Sequence, residues 1–164
     1  MRLTVYTDYS LRLLMYLALK DGGLATIAEV AKGYDISKTH LMKVAHQLGV
    51  AGYVTTVRGR QGGLRLAKPL DAIGLGEVVR HTEPDMALVP CFRPDGAACP
   101  IQRCCLLAGA LEKARSAFLA VLDDYSLKDL VQPRTALRGL LHIGVTGAAL
   151  PRGGKRRLQA RNEM

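Results

Sequence analysis

The chain of 164 residues is long enough for one domain of ordinary size or for two small helical units, and 49% of its residues are hydrophobic. Its formal net charge of +9 favours a polyanionic partner, nucleic acid ahead of a membrane surface, because Lys and Arg that neutralise phosphates release counterions. The apolar residues are mainly Leu, Val, Ala, Ile and Met, with two Phe and no Trp, so the composition predicts a mainly α protein.

The first apolar run, VYTDYSLRLLMYLAL, contains Asp8 and Arg12 and lacks a cleavage site of small residues, so it predicts a soluble helix rather than a signal peptide. The sequence has no run of about 18 uninterrupted apolar residues that could span a bilayer. We therefore expect a cytoplasmic protein without a membrane partner. In reducing surroundings, clustered cysteines serve metal or redox chemistry more often than structural disulfides.

Apolar residues at helical spacing predict a first helix that begins near Thr7 or Asp8, either of which could cap it, and that ends at a Gly-Gly pair. Thr26 and Glu29 form a capping-box pattern, which predicts the start of a short second helix. Gly33 is expected to end this helix, and four residues then form a turn.

A longer third helix, SKTHLMKVAHQLGVAG, is predicted to begin with Ser37 as its cap. A short helix, a tight turn and a second helix with a polar, basic face are typical of a helix-turn-helix, whose second helix enters the major groove. The same pattern alone would also fit a solvated basic helix. The side chains expected to point outward are Lys38, Thr39, His40, Lys43, His46 and Gln47.

Two β-rich runs, 53–57 and 64–67, flank a glycine-rich tip and predict a winged hairpin. Glycines add no side-chain bulk and guanidinium groups favour the negative potential of the minor groove, so such a tip can approach DNA closely. The wing and the net charge together favour DNA binding over a charged surface of no function. The candidate DNA contacts are Ser37, Lys38, Thr39, His40, Lys43, Arg58, Arg60 and Gln61.

The second half begins with a linker at 69–74 and a short helix, LGEVVRHTE, that ends before Pro84. After a loop rich in Pro, Gly and Ala, apolar residues recur at helical spacing from Cys105 over about four and a half turns. So long an apolar helix predicts a homodimer in which the two helix-turn-helix motifs lie roughly 34 Å apart. Packing on the first helix of the same chain is the alternative, and the two arrangements are compatible with each other. A last short helix is expected at Ser126.

These elements divide the chain into four parts. Residues 1–83 form a winged helix-turn-helix DNA-binding domain, 84–104 a cysteine-rich loop, and 105–135 a long C-terminal dimerisation helix with the short final helix. Residues 145–164 form a basic tail that we expect to be disordered and to add unspecific affinity for DNA.

All four cysteines, Cys91, Cys99, Cys104 and Cys105, lie in the segment CFRPDGAACPIQRCC. The first, second and last are spaced C-x7-C-x5-C and can converge, whereas Cys104 would point to another side of the following helix. The sequence contains neither a CxxC knuckle nor the Cys/His pair of structural zinc. A zinc site is therefore the second interpretation of these cysteines, after an iron-sulfur cluster. Thiolates on a flexible loop suit an iron-sulfur cluster, whose remaining iron site would take a non-cysteine ligand or stay open.

The stretches LTVYTDYSLRLLMYLA and ISKTHLMKVAHQLGVAGYVTTVRGRQGGLRLAKP, with a three-cysteine loop before a long helix, resemble the winged-helix family of iron-sulfur transcription regulators. The resemblance covers about residues 1–135 and is greatest to the nitric-oxide-sensing repressors of that family. Its cluster-assembly regulators use a histidine three places after the last cysteine. This chain has Ala108 or Leu107 there, counted from Cys105 or Cys104, and neither can bind iron.

The resemblance implies a homodimer that binds palindromic operator DNA while its cluster is intact and releases it when nitric oxide nitrosylates the cluster. It implies Cys91, Cys99 and Cys105 as ligands, with Asp8 of the other subunit as a fourth. A role of Asp8 as helix cap is the alternative. A 4Fe-4S cluster is favoured and a 2Fe-2S centre stays open, as does the choice between Cys104 and Cys105.

Rival functions are few. The sequence shows no glycine-rich phosphate loop after a strand and no Ser/His/Asp set, and its four histidines are scattered, so we expect no enzymatic activity. A thiol switch without a cluster would use Cys104 or Cys105, beside Arg103 at a helix start. An iron- or redox-responsive regulator of the same family would use the same cluster for another signal.

Overall fold

The computed structural model describes residues 2–96 and 99–144, and the predicted basic tail at 145–164 lies outside them. Within the described residues, helices and one hairpin follow in the order α1 (Val5–Leu19), α2 (Ile27–Tyr34), α3 (Lys38–Val50), β1 (Val54–Val57), β2 (Gly63–Leu66), α4 (Leu75–Thr82), α5 (Leu106–Asp123), α6 (Leu127–Leu130) and α7 (Arg134–Leu140). The prediction of a mainly α protein with a winged helix-turn-helix is confirmed.

Helix α1 is the centre of the core. It packs against α2, α3, α4, α6, α7 and strand β2. Leu13, Leu14 and Leu19 are fully buried on it, and each buried side chain of this size contributes roughly 1.5–3 kcal/mol to folding. Helix α3 and the hairpin strand β2 are therefore both positioned by contact with α1.

The predicted start of α1 is wrong by two to three residues. Helix α1 begins at Val5 with Thr4 as its N-cap, and the Thr4 hydroxyl accepts a hydrogen bond from the backbone N–H of Thr7. Asp8 lies inside the first helical turn, so its interpretation as the helix cap is wrong. Thr4 was missed because part of what holds it is Glu83, which lies 79 residues away.

The helix-turn-helix follows the sequence pattern closely. Thr26 and Glu29 form the predicted capping box of α2, and Ser37 caps α3 as expected. Gly33 does not end α2, which continues to Tyr34 and closes on Asp35 in the left-handed conformation. Gly33 instead lies against the ring of Tyr16, where a Cβ atom would leave only 3.0 Å to a ring carbon.

Strands β1 and β2 form a two-stranded antiparallel hairpin in which Val54 pairs with Leu66 and Val57 with Gly63. Each strand lies within one residue of its predicted bounds. Gly59 at the tip has φ +115°, a conformation that costs little only for glycine. The backbone conformation of the turn thus explains the glycine at position 59, and the arginines of the tip project from this tight turn.

The second half differs from the prediction in three places. The expected linker contains a short 3-10 helix, Leu70–Ala72, and the buried Ile73. The cysteine loop contains two more 3-10 turns, Pro90–Phe92 and Gln102–Cys104. Helix α7 was not predicted, because it follows Pro133 and none of its seven residues is buried, so its sequence lacks a clear apolar periodicity.

Helix α5 has 18 residues and is largely exposed in the single chain. It packs chiefly against α4, not against α1 as the intramolecular alternative required. None of its residues, all of which lie in the described part of the chain, is buried. Leu106 is 91% exposed, Leu107 65% and Val121 57%, so a broad apolar surface lacks a partner within the described residues. Among the described helices, none has the length and apolar character needed to cross a membrane.

Candidate DNA-binding surface and cysteine segment

The start of α3 presents the predicted DNA contacts to solvent. Lys38, Thr39, His40 and Lys43 are all exposed, while the opposite face of the helix is buried in the core. The Ser37 side chain accepts a hydrogen bond from the backbone N–H of His40, so this serine fixes the first turn of α3. The N-terminal turns of such a helix are those that contact base edges in a major groove.

The wing adds a second exposed basic patch. Arg58, Arg60 and Gln61 are exposed at the tip between β1 and β2. A groove lined by His46 and Gly49 of α3 and by Thr55 and Thr56 of β1 joins the two elements. The recognition helix and the first wing strand therefore border one continuous surface, and their use in DNA binding stays a prediction.

Tyr9 is a residue of this region that sequence reasoning missed. Its ring lies 6.2 Å from the His40 ring, centroid to centroid, so α1 supports one of the candidate contacts directly. Val5, Tyr6 and Tyr9 of α1 line an apolar groove of about 260 Å³ together with α3 residues His40, Lys43 and Val44. Nothing in the local sequence predicts this contact, because the two helices meet only in the fold.

The four cysteines are free thiols with different surroundings. Cys91, Cys99 and Cys105 are half-buried, whereas Cys104 is exposed and its thiol donates to the carbonyl oxygen of Ile101. Cys105 is the N-cap of α5, and its sulfur accepts a hydrogen bond from the backbone N–H of Ala108 at 3.4 Å. The sulfur of Cys105 is therefore held at the start of α5.

The predicted metal ligands are not gathered in the single chain. Among residues 2–96 and 99–144, no group of three His, Cys, Asp or Glu side chains is close enough to hold a metal ion. The donor chemistry nevertheless fits an iron-sulfur cluster, because three half-buried free thiols follow one another on one segment. Their convergence would be coupled to metal binding, as is common when a site is not preformed.

Asp8 has a different partner in the single chain. Its carboxylate accepts a hydrogen bond from Nε of Arg12 at 2.9 Å, one helical turn along α1. The Arg12 guanidinium also lies 5.6 Å from the centre of the Tyr34 ring. Burial raises the pKa of the Tyr34 hydroxyl to about 12, against the opposing charge of Arg12. Asp8 is thus half-exposed, and its ion pair with Arg12 is one that another ligand could replace.

Glu83 links the two regions from which the predicted ligands come. One of its carboxylate oxygens accepts hydrogen bonds from the backbone N–H of Thr4 at 2.8 Å and from the hydroxyls of Thr4 and Thr7. Glu83 directly follows α4 and precedes the cysteine segment. The start of α1, which carries Asp8, is therefore fastened to the residue that joins α4 to the cysteine-rich loop.

Comparison with known families gives one match over most of the chain. The model of the Rrf2 family, described as an iron-dependent transcriptional regulator, matches residues 3–133. The HTH-type transcriptional regulator NsrR of Bacillus licheniformis is 50% identical over 142 residues, which cover 86% of this chain and 99% of that relative. NsrR of Bacillus subtilis is 49% identical over 144 residues, covering 87% and 99%.

Solved structures give the same fold. CymR, the global cysteine regulator of B. subtilis, superposes with a TM-score of 0.65 and 26% identity, covering 81% of this chain and 98% of that chain. The structure named T. potens IscR has a TM-score of 0.63 at 23% identity and supports the fold alone.

Proposed function

This chain belongs to the Rrf2 family of iron-dependent transcriptional regulators and is a repressor of the NsrR type, and from that premise we propose that it binds operator DNA as a homodimer under the control of an iron-sulfur cluster and nitric oxide. The observation that carries the proposal is the placement of three half-buried free thiols between α4 and α5. These thiols lie in the same chain as an exposed basic α3 and wing.

DNA recognition is assigned to the first two turns of α3 and to the wing tip. Lys38, Thr39, His40 and Lys43 reach base edges and phosphates of the major groove, with Ser37 at the helix start. Arg58, Arg60 and Gln61 enter the adjacent minor groove, where the narrow walls strengthen the attraction for guanidinium groups. Because an operator palindrome repeats at a fixed spacing, a dimer must hold both α3 helices at that spacing.

The cluster is assigned to Cys91, Cys99 and Cys105, with Asp8 of the partner subunit as the oxygen ligand. A 4Fe-4S cluster suits three thiolates and one weaker ligand, and a 2Fe-2S centre is the alternative. When bound, such a cluster would supply iron able to react with nitric oxide, and these four residues would hold it. A carboxylate is a harder, weaker partner for that iron than a thiolate.

The chain's own residues provide a route from this site to the DNA. Cys105 caps α5, so a bond to its sulfur fixes the first turn of the proposed dimer helix. Asp8 lies one residue before Tyr9, which packs against His40 of the recognition helix. A change in the hold on Asp8 therefore alters α1, which packs against α3, and a change at Cys105 alters the proposed dimer helix. A small shift of either helix would cost contacts in both half-sites.

The test is the iron and acid-labile sulfide content, with the absorption spectrum, of protein purified without oxygen. We expect about four iron and four sulfide per chain and a thiolate-to-iron absorption band. Replacing Cys91, Cys99 or Cys105 by Ser should remove most of the iron, whereas Cys104→Ser, the matched control, should retain it.

Two outcomes would point elsewhere. Colourless protein that contains zinc or no metal under the same handling would contradict the cluster. If such protein lost DNA affinity on treatment with peroxide, a thiol switch at the exposed Cys104 would replace it. A cluster that ignored nitric oxide but responded to iron supply would leave an iron- or redox-responsive regulator.

A further inference from the structure

We propose that Glu77 of α4 is a positioning residue for the wing. It holds the base of the hairpin against α4, which packs against α5, and so fixes where the wing tip lies relative to the dimer. The inference rests on the proposed wing contact with DNA. Glu77 acts at the base of the hairpin, whereas the proposed DNA contacts lie at its tip.

Glu77 binds both ends of the hairpin. The hydroxyl of Tyr53, the residue before β1, donates to the Glu77 carboxylate at 2.7 Å. The ammonium group of Lys68, two residues after β2, lies 3.6 Å from the same oxygen and 4.6 Å from the centre of the Tyr53 ring. The backbone N–H of Ala67 donates to the Tyr53 carbonyl at 2.9 Å and closes the base.

The ring of Tyr53 is held from a second direction. It is 3% exposed and lies 5.8 Å from the His81 ring, one turn after Glu77 on α4. Burial, together with the hydrogen bond and negative charge of Glu77, raises the pKa of the Tyr53 hydroxyl, so this hydroxyl remains a donor at neutral pH. Two successive turns of α4 therefore grip the hairpin base.

The same helix is locked to α5 on its other side. Arg80 donates two hydrogen bonds to the Asp123 carboxylate, at 2.6 and 2.5 Å. Gly76 lies beneath that carboxylate, and a Cβ atom at this position would collide with it. The backbone N–H of Leu75 donates to the carbonyl of Tyr125 at 2.8 Å, just beyond α5. Helix α4 thus joins the wing base to the end of α5.

A small tilt at the base of the hairpin displaces its tip by a larger distance, and this is how the Tyr53–Glu77 contact affects DNA binding. A four-residue strand extends roughly 13 Å, so a tilt of about 10° at the base moves the tip by roughly 2 Å. Hydrogen bonds tolerate only a few tenths of an ångström before they weaken. A loosened base would therefore cost most of what the tip arginines contribute to operator affinity, while the fold stays intact.

The experiment is a double-mutant cycle between Tyr53→Phe and Arg60→Ala in the full-length chain, read as affinity for an operator duplex. Tyr53→Phe keeps the buried ring and removes the donor to Glu77, whose side chain is 54% exposed and can be hydrated. We expect about fivefold weaker binding, the equivalent of one hydrogen bond, in the parent. In the Arg60→Ala background we expect less than about twofold.

Controls separate positioning from a general effect. Tyr125→Phe removes an exposed hydroxyl outside the wing base and should leave affinity unchanged. Glu77→Gln keeps an oxygen acceptor for Tyr53 and should bind nearly as well as the parent, whereas Glu77→Ala should match Tyr53→Phe. Thermal unfolding should shift little in all four variants.

Contrary results would overturn the inference in distinguishable ways. Equal losses from Tyr53→Phe in both backgrounds, or no loss in either, would show that the Tyr53–Glu77 contact does not act through the wing. An Arg60→Ala protein that bound the operator like the parent would instead overturn the wing contact in the proposed function, and this inference with it.

Discussion

Asp8 forms a local ion pair with Arg12 in the single chain, although the proposed function gives it iron as a partner. Both side chains are between one third and one half exposed, and an exposed pair one helical turn apart contributes only about 0.3–0.5 kcal/mol. Losing this pair therefore costs the fold little. The carboxylate is free to exchange Arg12 for a stronger bond when the dimer assembles.

We therefore predict that Asp8→Ala leaves the thermal unfolding of the iron-free protein nearly unchanged but alters the absorption spectrum and the nitric oxide response of the iron-loaded protein. Asp85→Ala is the matched control, because Asp85 is also a half-exposed carboxylate paired with an arginine, near the cysteine segment. Identical spectra and identical nitric oxide titrations for Asp8→Ala and the parent would remove Asp8 from the ligand set.

Single residues show clearly what the sequence can predict. The Thr26–Glu29 capping box and the Ser37 cap depend on partners three residues away, so the pattern alone revealed them. Thr4 and Tyr9 escaped, because their partners Glu83 and His40 come close only in the fold. Hydrogen bonds within one helical turn can be predicted from the local sequence, whereas polar contacts between distant segments cannot.

Elements followed the same division. The exposed face of α3 was predicted because burial of its other face fixes the helical phase, and the wing was predicted from its glycine-rich tip. Helix α7 was missed. Arg134 and Arg138 of this helix both pair with Asp21, which lies just after the end of α1. Its anchoring depends on a charge cluster across the fold rather than on apolar periodicity.

The packing of α4 against α5 gives a prediction at one glycine. Gly76→Ala should destabilise the protein by about 1–3 kcal/mol, because the added methyl group meets the Asp123 carboxylate and must push it away from Arg80. Gly139→Ala in α7 is the matched control, since a Cβ there meets nothing within 4 Å. This control should be neutral or stabilising by up to about 1 kcal/mol.

Denaturant unfolding curves of the two variants test this directly. An equal effect of Gly76→Ala and Gly139→Ala would contradict the close approach of α4 and α5. It would also weaken the rigid link from the wing base to the dimer helix, because that link passes through the same carboxylate.

Assembly is where the single chain is least complete. The exposed apolar residues of α5 and the separation of the proposed ligands within the described residues support the proposal that a second copy completes the structure. Sequence periodicity predicted the apolar face of α5, yet no property of one chain could predict the geometry of the proposed site between Asp8 of one subunit and the cysteines of the other. The cluster site and the dimer are thus expected to form together.

Leu107→Glu on the exposed face of α5 should therefore shift the protein from dimer to monomer in sedimentation velocity and abolish cooperative binding to a palindromic operator. A buried, unpaired carboxylate costs several kcal/mol, more than most interfaces tolerate. Ser116→Glu, which adds the same charge to an exposed site about 180° around the helix, is the control. A Leu107→Glu protein that remained dimeric would place the interface elsewhere.

We propose that the state of the cluster decides the affinity for operator DNA. The most direct measurement is fluorescence anisotropy of an operator duplex with one oxygen-free preparation in three states: iron-loaded, treated with nitric oxide, and stripped of iron. We predict tight binding only in the first state, with at least about a tenfold loss in the other two, equivalent to about 1.4 kcal/mol of coupling. Equal affinity in all three states would contradict the account and leave a winged-helix repressor whose cysteines do not control DNA binding.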